Sequence, residues 1–231
     1  MTSRLSSVVE VPSSVSDRLT ETKGEPMAAP RRQAERREAA RSAMLEVAIS
    51  RLAAGGYARM TLAEVGRQSG YSHGLAPFYF GSKAGLMAAV SDEISRVYLE
   101  HIEDACSQSA DGLDFLRRWI DAQFDFKRKY PDHLRASLVI LVECVITLPE
   151  MAPTLQTRGD RNLRVVEEAF ARGTVDRSIA PTTDLHTSAV LVSSSIKGTS
   201  YDWLADPHLD LDHRQHAVHE LLELLTGVAR D

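Results

Sequence analysis

From about position 34 onward, apolar residues return every three or four positions, and no stretch alternates apolar with polar residues as a strand would. The pattern predicts an all-α chain of about nine helices. Ala40, Met44, Val47, Ala48 and Leu52 form the inner stripe of a first helix over about Ala34 to Ala54, which Gly55-Gly56 stops. Tyr57 and Met60 read as core beneath a second helix. Leu86, Met87, Val90, Ile94, Val97 and Leu99 mark a long amphipathic helix from Ser82 to about Cys106. The next helix spans about Leu113 to Lys129 and ends at Tyr130-Pro131. Leu134 to Leu148 contains Leu138-Val-Ile-Leu-Val142, apolar all round, which predicts a central position. A polar helix follows from about Ala152 to Arg172, with Gly173 as its stop signal. Two more are expected, one from Asp184 to Asp206-Pro207 with a small-residue face, the other from Leu211 to Val228.

One stretch, Thr61 to Lys83, departs from long helices. Thr61 can N-cap a short helix and Glu64 can complete a capping box. Ser69-Gly70 ends that helix, because glycine accepts a left-handed backbone. Ser72 is a candidate second N-cap, opening a helix at His73-Gly74-Leu75, and the small Gly66 lets that helix cross closely over the first. Two short helices joined by a glycine-containing turn make a helix-turn-helix, which places its second helix in the DNA major groove.

Thr61-Leu-x-x-Val-x-x-x-x-Gly70-Tyr-Ser-x-Gly74, followed by Phe78-Tyr79-Phe80-x-x-Lys83-x-x-Leu86, resembles the DNA-binding domain of tetracycline-repressor (TetR) family regulators. The resemblance covers roughly Arg36 to Val97. Gly81-Ser-Lys-Ala-Gly-Leu86 is most similar to the choline/betaine-pathway repressor branch. The chain departs from the family at Pro77, where Tyr or Ser is usual. Proline removes a donor and opposes a continuing helix, so a short recognition helix is expected, with Phe78-Tyr79-Phe80 leaving it early. The resemblance implies a homodimer whose last two helices pair with their copies, and phosphate anchors at Thr61, Tyr79 and Lys83. It also implies a double-stranded DNA operator and a small-molecule effector as partners.

The net charge of -5, taken as a whole, opposes DNA binding, but its distribution reverses that. Residues 31–91 hold nine Lys/Arg against four Glu, whereas residues 92–231 hold 15 Lys/Arg against 24 Asp/Glu. A basic module beside an acidic remainder suits a polyanion-binding head on a body that stays off the polyanion. Within the head, Arg31, Arg32 and Arg36 read either as an arm on phosphate or minor groove or as an ordinary solvated helix start. Ser72, His73, Gly74 and Leu75 are the candidate recognition residues; Ser72 can bond phosphate, while His73 and Leu75 can reach base edges or thymine methyls. The expected organisation is a disordered Ser/Thr/Pro/Glu-rich tail at 1–30, a helix-turn-helix domain at 31–81, and a helical ligand-binding and dimerisation domain at 82–231.

No apolar run reaches the ~18 residues of a membrane span, and the N-terminus lacks the apolar core of a signal peptide. With only two cysteines, Cys106 and Cys144, the chain suits a reducing cytoplasm. His213, His216 and His219 step around a helix, so a solvated face is expected rather than a metal site. Neither a phosphate loop nor a nucleophile motif is present, so no enzyme and no cofactor are expected. Glu143 interrupts an apolar run, where a lone charge is costly. It faces outward, pairs with an arginine, or lines a cavity for a cationic ligand, with Trp119, Phe124, Tyr201 and Trp203 as candidate aromatic walls or as core. The functional expectation is a ligand-responsive regulator, most simply a repressor. The alternatives are an activator and a helical small-molecule binder that does not bind DNA.

Overall fold

A computed structural model describes residues 28–227, with side chains from 32 onward. Most of the expected tail lies outside the described residues. Within them are nine α-helices, one 3-10 turn and no strand. The chain divides into two units, residues 1–38 and 39–231. In the first, the described residues are the opening turns of α1 (Ala28–Arg59), which therefore starts before the expected Ala34.

The second unit holds everything else. α1 breaks at Gly56, which takes φ 70 and ψ 179, a conformation that L side chains avoid. Then follow α2 (Leu62–Gln68), α3 (Leu75–Phe80), α4 (Lys83–Cys106), α5 (Gly112–Lys129), α6 (Pro131–Ile146), a 3-10 turn (Pro149–Met151), α7 (Ala152–Asp176), α8 (Leu185–Ala205) and α9 (Leu211–Thr226). Side-chain caps fix several starts: Ser82 accepts from the Gly85 N–H, Asp111 from Asp114 and Asp184 from Thr187.

Two apolar cores result. One joins Met44, Leu45, Ala48, Ile49 and Leu52 of α1 to Val65, Ala76 and Phe80, to the first half of α4, and to Ala136, Ile140 and Cys144 of α6. The other fills the body from α4, α5 and α7 to α9, around Leu116, Ile120, Phe124, Phe170, Val192 and Leu222. α4 contributes to both, so displacing it disturbs head and body together.

Two sequence expectations fail here for packing reasons. α6 is not buried all round: Leu138 and Ile140 are buried, but Val142, Val145 and Ile146 are 57, 80 and 75% exposed. Composition made every face apolar, but α6 has neighbours on one side only. Gly173 does not stop α7; the helix runs on to Asp176 and ends at Arg177 with φ 68. Gly173 is there because α5 begins against it. A Cβ on Gly112 would lie 2.2 Å from the Gly173 nitrogen.

Candidate functional site

Thr61 caps α2 as expected, accepting from the Glu64 N–H at 3.2 Å. The Glu64 carboxylate accepts from the Thr61 hydroxyl at 3.0 Å and from the Arg51 guanidinium at 2.8 Å, which ties α2 to α1. A Thr61 contact to phosphate would therefore exchange its bond to Glu64. At the turn, the Tyr71 N–H donates to the Gly66 carbonyl at 3.0 Å. A Cβ on Gly66 would sit 3.0 Å from the Ser72 carbonyl oxygen, so the small residue does permit the close crossing.

The recognition helix differs from its sequence forecast at both ends. Ser72 is not its N-cap; Gly74 occupies that place, and Ser72 and His73 lie in the preceding turn. Phe78-Tyr79-Phe80 do not leave the helix but complete it. Pro77 is its third residue, where the backbone N–H has no intrahelical acceptor, so proline forfeits nothing there. The helix ends instead at Gly81, with φ 69. Ser72, His73, Gly74 and Phe78 are exposed, Leu75 and Tyr79 half-buried, and Ala76 and Phe80 buried in the head core. The sequence reading passed over Phe78, which at 74% exposure is a large apolar ring on the outer side of this helix.

Lys83 is the first residue of α4. Its ammonium lies 4.0 Å from the centre of the Tyr57 ring and 3.5 Å from the Ala58 carbonyl oxygen, so the side chain is held rather than loose. A cation at a helix N-terminus opposes the macrodipole, and an anion bound beside it removes the conflict. Arg32 and Arg36 are exposed on the first turns of α1. The Arg31 side chain lies outside the described residues.

In the body, a cavity of about 340 Å³ opens among α4, α5, α6, α7 and α8. Trp119 and Tyr201 are on its wall, while Phe124, Glu143 and Trp203 are not. Phe124 is fully buried core, and Trp203 is buried with the Arg135 guanidinium over its ring at 4.9 Å. Glu143 is half-buried on the far side of α6, where its charge, after burial itself, raises the Tyr57 phenol. The cationic-ligand reading that rested on Glu143 therefore falls.

The cavity lining has the opposite character. It includes Lys127, Arg158, Arg161 and Lys197 and no Asp or Glu. Arg158 spans from the wall to Asp92 at 2.5 Å and to the Ser91 hydroxyl at 2.6 Å. Lys127 is 3% exposed; its ammonium donates to the Gln123 carbonyl at 3.2 Å and sits 5.0 Å from the centre of the Phe124 ring. Sequence spacing did carry a signal for it: Trp119, Gln123 and Lys127 share one helical stripe in the apolar phase. Burial, aided by Arg128, lowers its pKa from 10.5 to about 8. The unfolded chain thus holds the proton more tightly, and stability rises as pH climbs from about 8 to about 10.5. Lys127→Met should accordingly raise the melting temperature at pH 7, by the equivalent of up to a few kcal/mol, with the gain shrinking above pH 8. Melts of both proteins at pH 7 and 9.5 check this; equal melting temperatures at pH 7 contradict it.

Other candidate chemistry is placed elsewhere. Cys106 and Cys144 are buried in different cores, and burial pushes the Cys106 thiol up to about 11. The histidines do not form a solvated face as a set: His213 and His216 are exposed, but His219 is buried with its Nε2 2.7 Å from Asp121. Among the described residues no three His, Cys, Asp or Glu side chains gather to hold a metal. No single described helix is long and apolar enough to cross a membrane.

Comparisons with known proteins match one segment of the chain to a family and the described fold to solved structures. Residues 44–90 match the family described as bacterial regulatory proteins, tetR family. No curated protein sequence matches the chain. A putative transcriptional regulator from Saccharomonospora viridis, solved in complex with choline, is similar in structure with a TM-score of 0.72 at 18% identity, over 83% of this chain and 97% of that one. FadR from Bacillus subtilis, solved with stearoyl-CoA, gives 0.65 at 17% identity, over 81% and 99%. NalD from Pseudomonas aeruginosa, the secondary repressor of the MexAB-OprM multidrug efflux pump, gives 0.61 at 20% identity, over 84% and 97%. The family match covers the helix-turn-helix segment, and the likeness to these solved structures shows that the described helices share their fold.

Proposed function

We propose that the chain is a homodimeric, non-enzymatic repressor of the cytoplasm that leaves a palindromic operator when a small molecule fills the body cavity. The observation that carries this is α4. Its first residue is the held cation Lys83, and Ser91, Ile94, Ser95, Tyr98 and Leu99 further along it wall the cavity. At 1.5 Å per residue, Lys83 and Ile94 are about 16 Å apart on one rigid element. A ligand that shifts α4 shifts the anchor, and a dimer fits two half-sites at one separation only. Differential binding of a few kcal/mol between the two states suffices to empty the operator.

The dimer surface proposed is α8 with α9, where Leu191, Leu204 and Leu224 are exposed. Phosphate contacts are assigned to Arg31, Arg32, Arg36, Thr61, Tyr79 and Lys83, and base contacts to the segment Ser72, His73, Gly74 and Leu75. Among proteins of this fold, NalD is described as a repressor, and the other two compared hold small molecules. The resemblance to the choline/betaine branch is confined to Gly81–Leu86 of the head, and the cavity offers a cation no carboxylate.

The test is a random-site selection followed by gel shifts. Lys83→Ala should weaken binding to every sequence alike, because a phosphate contact carries no base information. His73→Ala should change which bases are preferred, by about 1–3 kcal/mol per position. Absence of any selected palindrome would favour the reading as a helical binder without DNA. Two mutants with the wild-type sequence profile would remove His73 from base readout.

A further inference from the structure

We infer that the effector is a medium-chain amphipathic carboxylate, its head group on Lys127 and Ser193 and its chain along Trp119, Leu138 and Ile140. This rests on the reading of the cavity as the effector site. Two buried polar groups on its wall lack what they need. The Lys127 ammonium has no carboxylate within 4.0 Å among the described residues, and its one acceptor is a carbonyl of its own helix. The Ser193 hydroxyl, 7% exposed, has no hydrogen-bond partner among the described residues. Unsatisfied groups of this kind are costly when buried, and both face the same cavity.

Both groups donate hydrogen bonds, as does the hydroxyl of Tyr98, also on the wall, which already accepts from Gln123 at 2.7 Å. A carboxylate is acceptor-only and takes up several donors at once. A cation would meet four basic side chains and no acid. The rest of the wall is largely apolar, so the remainder of the ligand is apolar as well. At about 340 Å³ the cavity is at the small end of ligand pockets, which suits a medium-chain rather than a long-chain acid.

The test uses the full-length protein with decanoate, decanol and decyltrimethylammonium, followed by calorimetry and by tryptophan fluorescence from Trp119. Decanoate should bind at one site per chain, at least tenfold more tightly than decanol or the ammonium. Lys127→Met should lose at least tenfold in decanoate affinity while leaving decanol unchanged. Ser193→Ala, which removes one oxygen and threatens the fold less, should lose a smaller factor in the same direction. Decanol or the ammonium binding as tightly as decanoate, no decanoate binding, or full affinity in Lys127→Met would overturn the assignment. Gel shifts run alongside separate the two ideas. A palindrome bound with no response to decanoate binding sinks the repressor mechanism and keeps the ligand class. DNA binding intact with no decanoate bound sinks the ligand class alone.

Discussion

Raising the salt from 50 to 200 mM is expected to weaken operator binding by roughly 10³–10⁵. The effect comes from releasing the cations condensed on DNA, one set for each phosphate that Lys or Arg neutralises. A dimer with ~6–10 phosphate contacts lies in that range. Charge placement makes the prediction sharper here than net charge does. The chain carries -5 in total, yet residues 31–91 hold nine Lys/Arg against four Glu. The acidic body should add repulsion for non-specific DNA, so at high salt little residual binding is expected. Replacing Lys83 with alanine should reduce the slope of log affinity against log salt by about one for each head. Filter binding or fluorescence anisotropy over a salt series measures both quantities. A flat salt profile would show that the basic head does not grip phosphate.

The second large effect is predicted in the body. Gly112→Ala should cost about 3 kcal/mol or more, at the upper end of what overpacking does. The added Cβ would stand 2.2 Å from the Gly173 nitrogen, 2.4 Å from its Cα and 2.7 Å from the Ala169 carbonyl oxygen. All three are backbone atoms of α7, so no side chain can swing aside. The junction is also pinned by hydrogen bonds: the Gly112 N–H donates to Asp176 at 2.9 Å, and the Leu113 N–H to Ser178 at 3.1 Å. Pushing α5 off α7 breaks these as well as the packing. For a chain of this size the melting temperature should fall by about 6–12 °C. Gly173→Ala should be milder, because its Cβ meets the end of the Ile179 side chain at 2.3 Å, and that can rotate. Gly159→Ala, in the same helix with nothing within 4 Å, should instead stabilise by up to about 1 kcal/mol. Thermal melts of the three variants test the contrast. Equal melting temperatures for Gly112→Ala and wild type would mean that the two helices do not touch there.

Local chemistry was legible in the sequence. Helix positions followed from apolar spacing, and the cap at Thr61 and the turn at Gly70 followed from side chains that act within a few residues. The arrangement of the helix-turn-helix was legible for the same reason, since Gly66 and the turn it accommodates are six residues apart or fewer. Pro77 misled because its effect depends on where the helix starts, and the start moved from Ser72 to Gly74. What the tertiary structure alone decided was which face of each helix had a neighbour. An apolar α6 says nothing of Val145 standing 80% exposed, and a charged residue in an apolar run says nothing of which side it faces. So Glu143, which the sequence left open to face outward, pair with an arginine or line a cavity, lies outside the cavity, whereas Lys127, one more lysine near a basic helix end, lies inside. Gly173 likewise read as a terminator because sequence shows its flexibility, while the fold uses its smallness. Spacing fixes a stripe, but only contact between distant helices fixes what that stripe meets, and the cost of burying a charge depends on that neighbour.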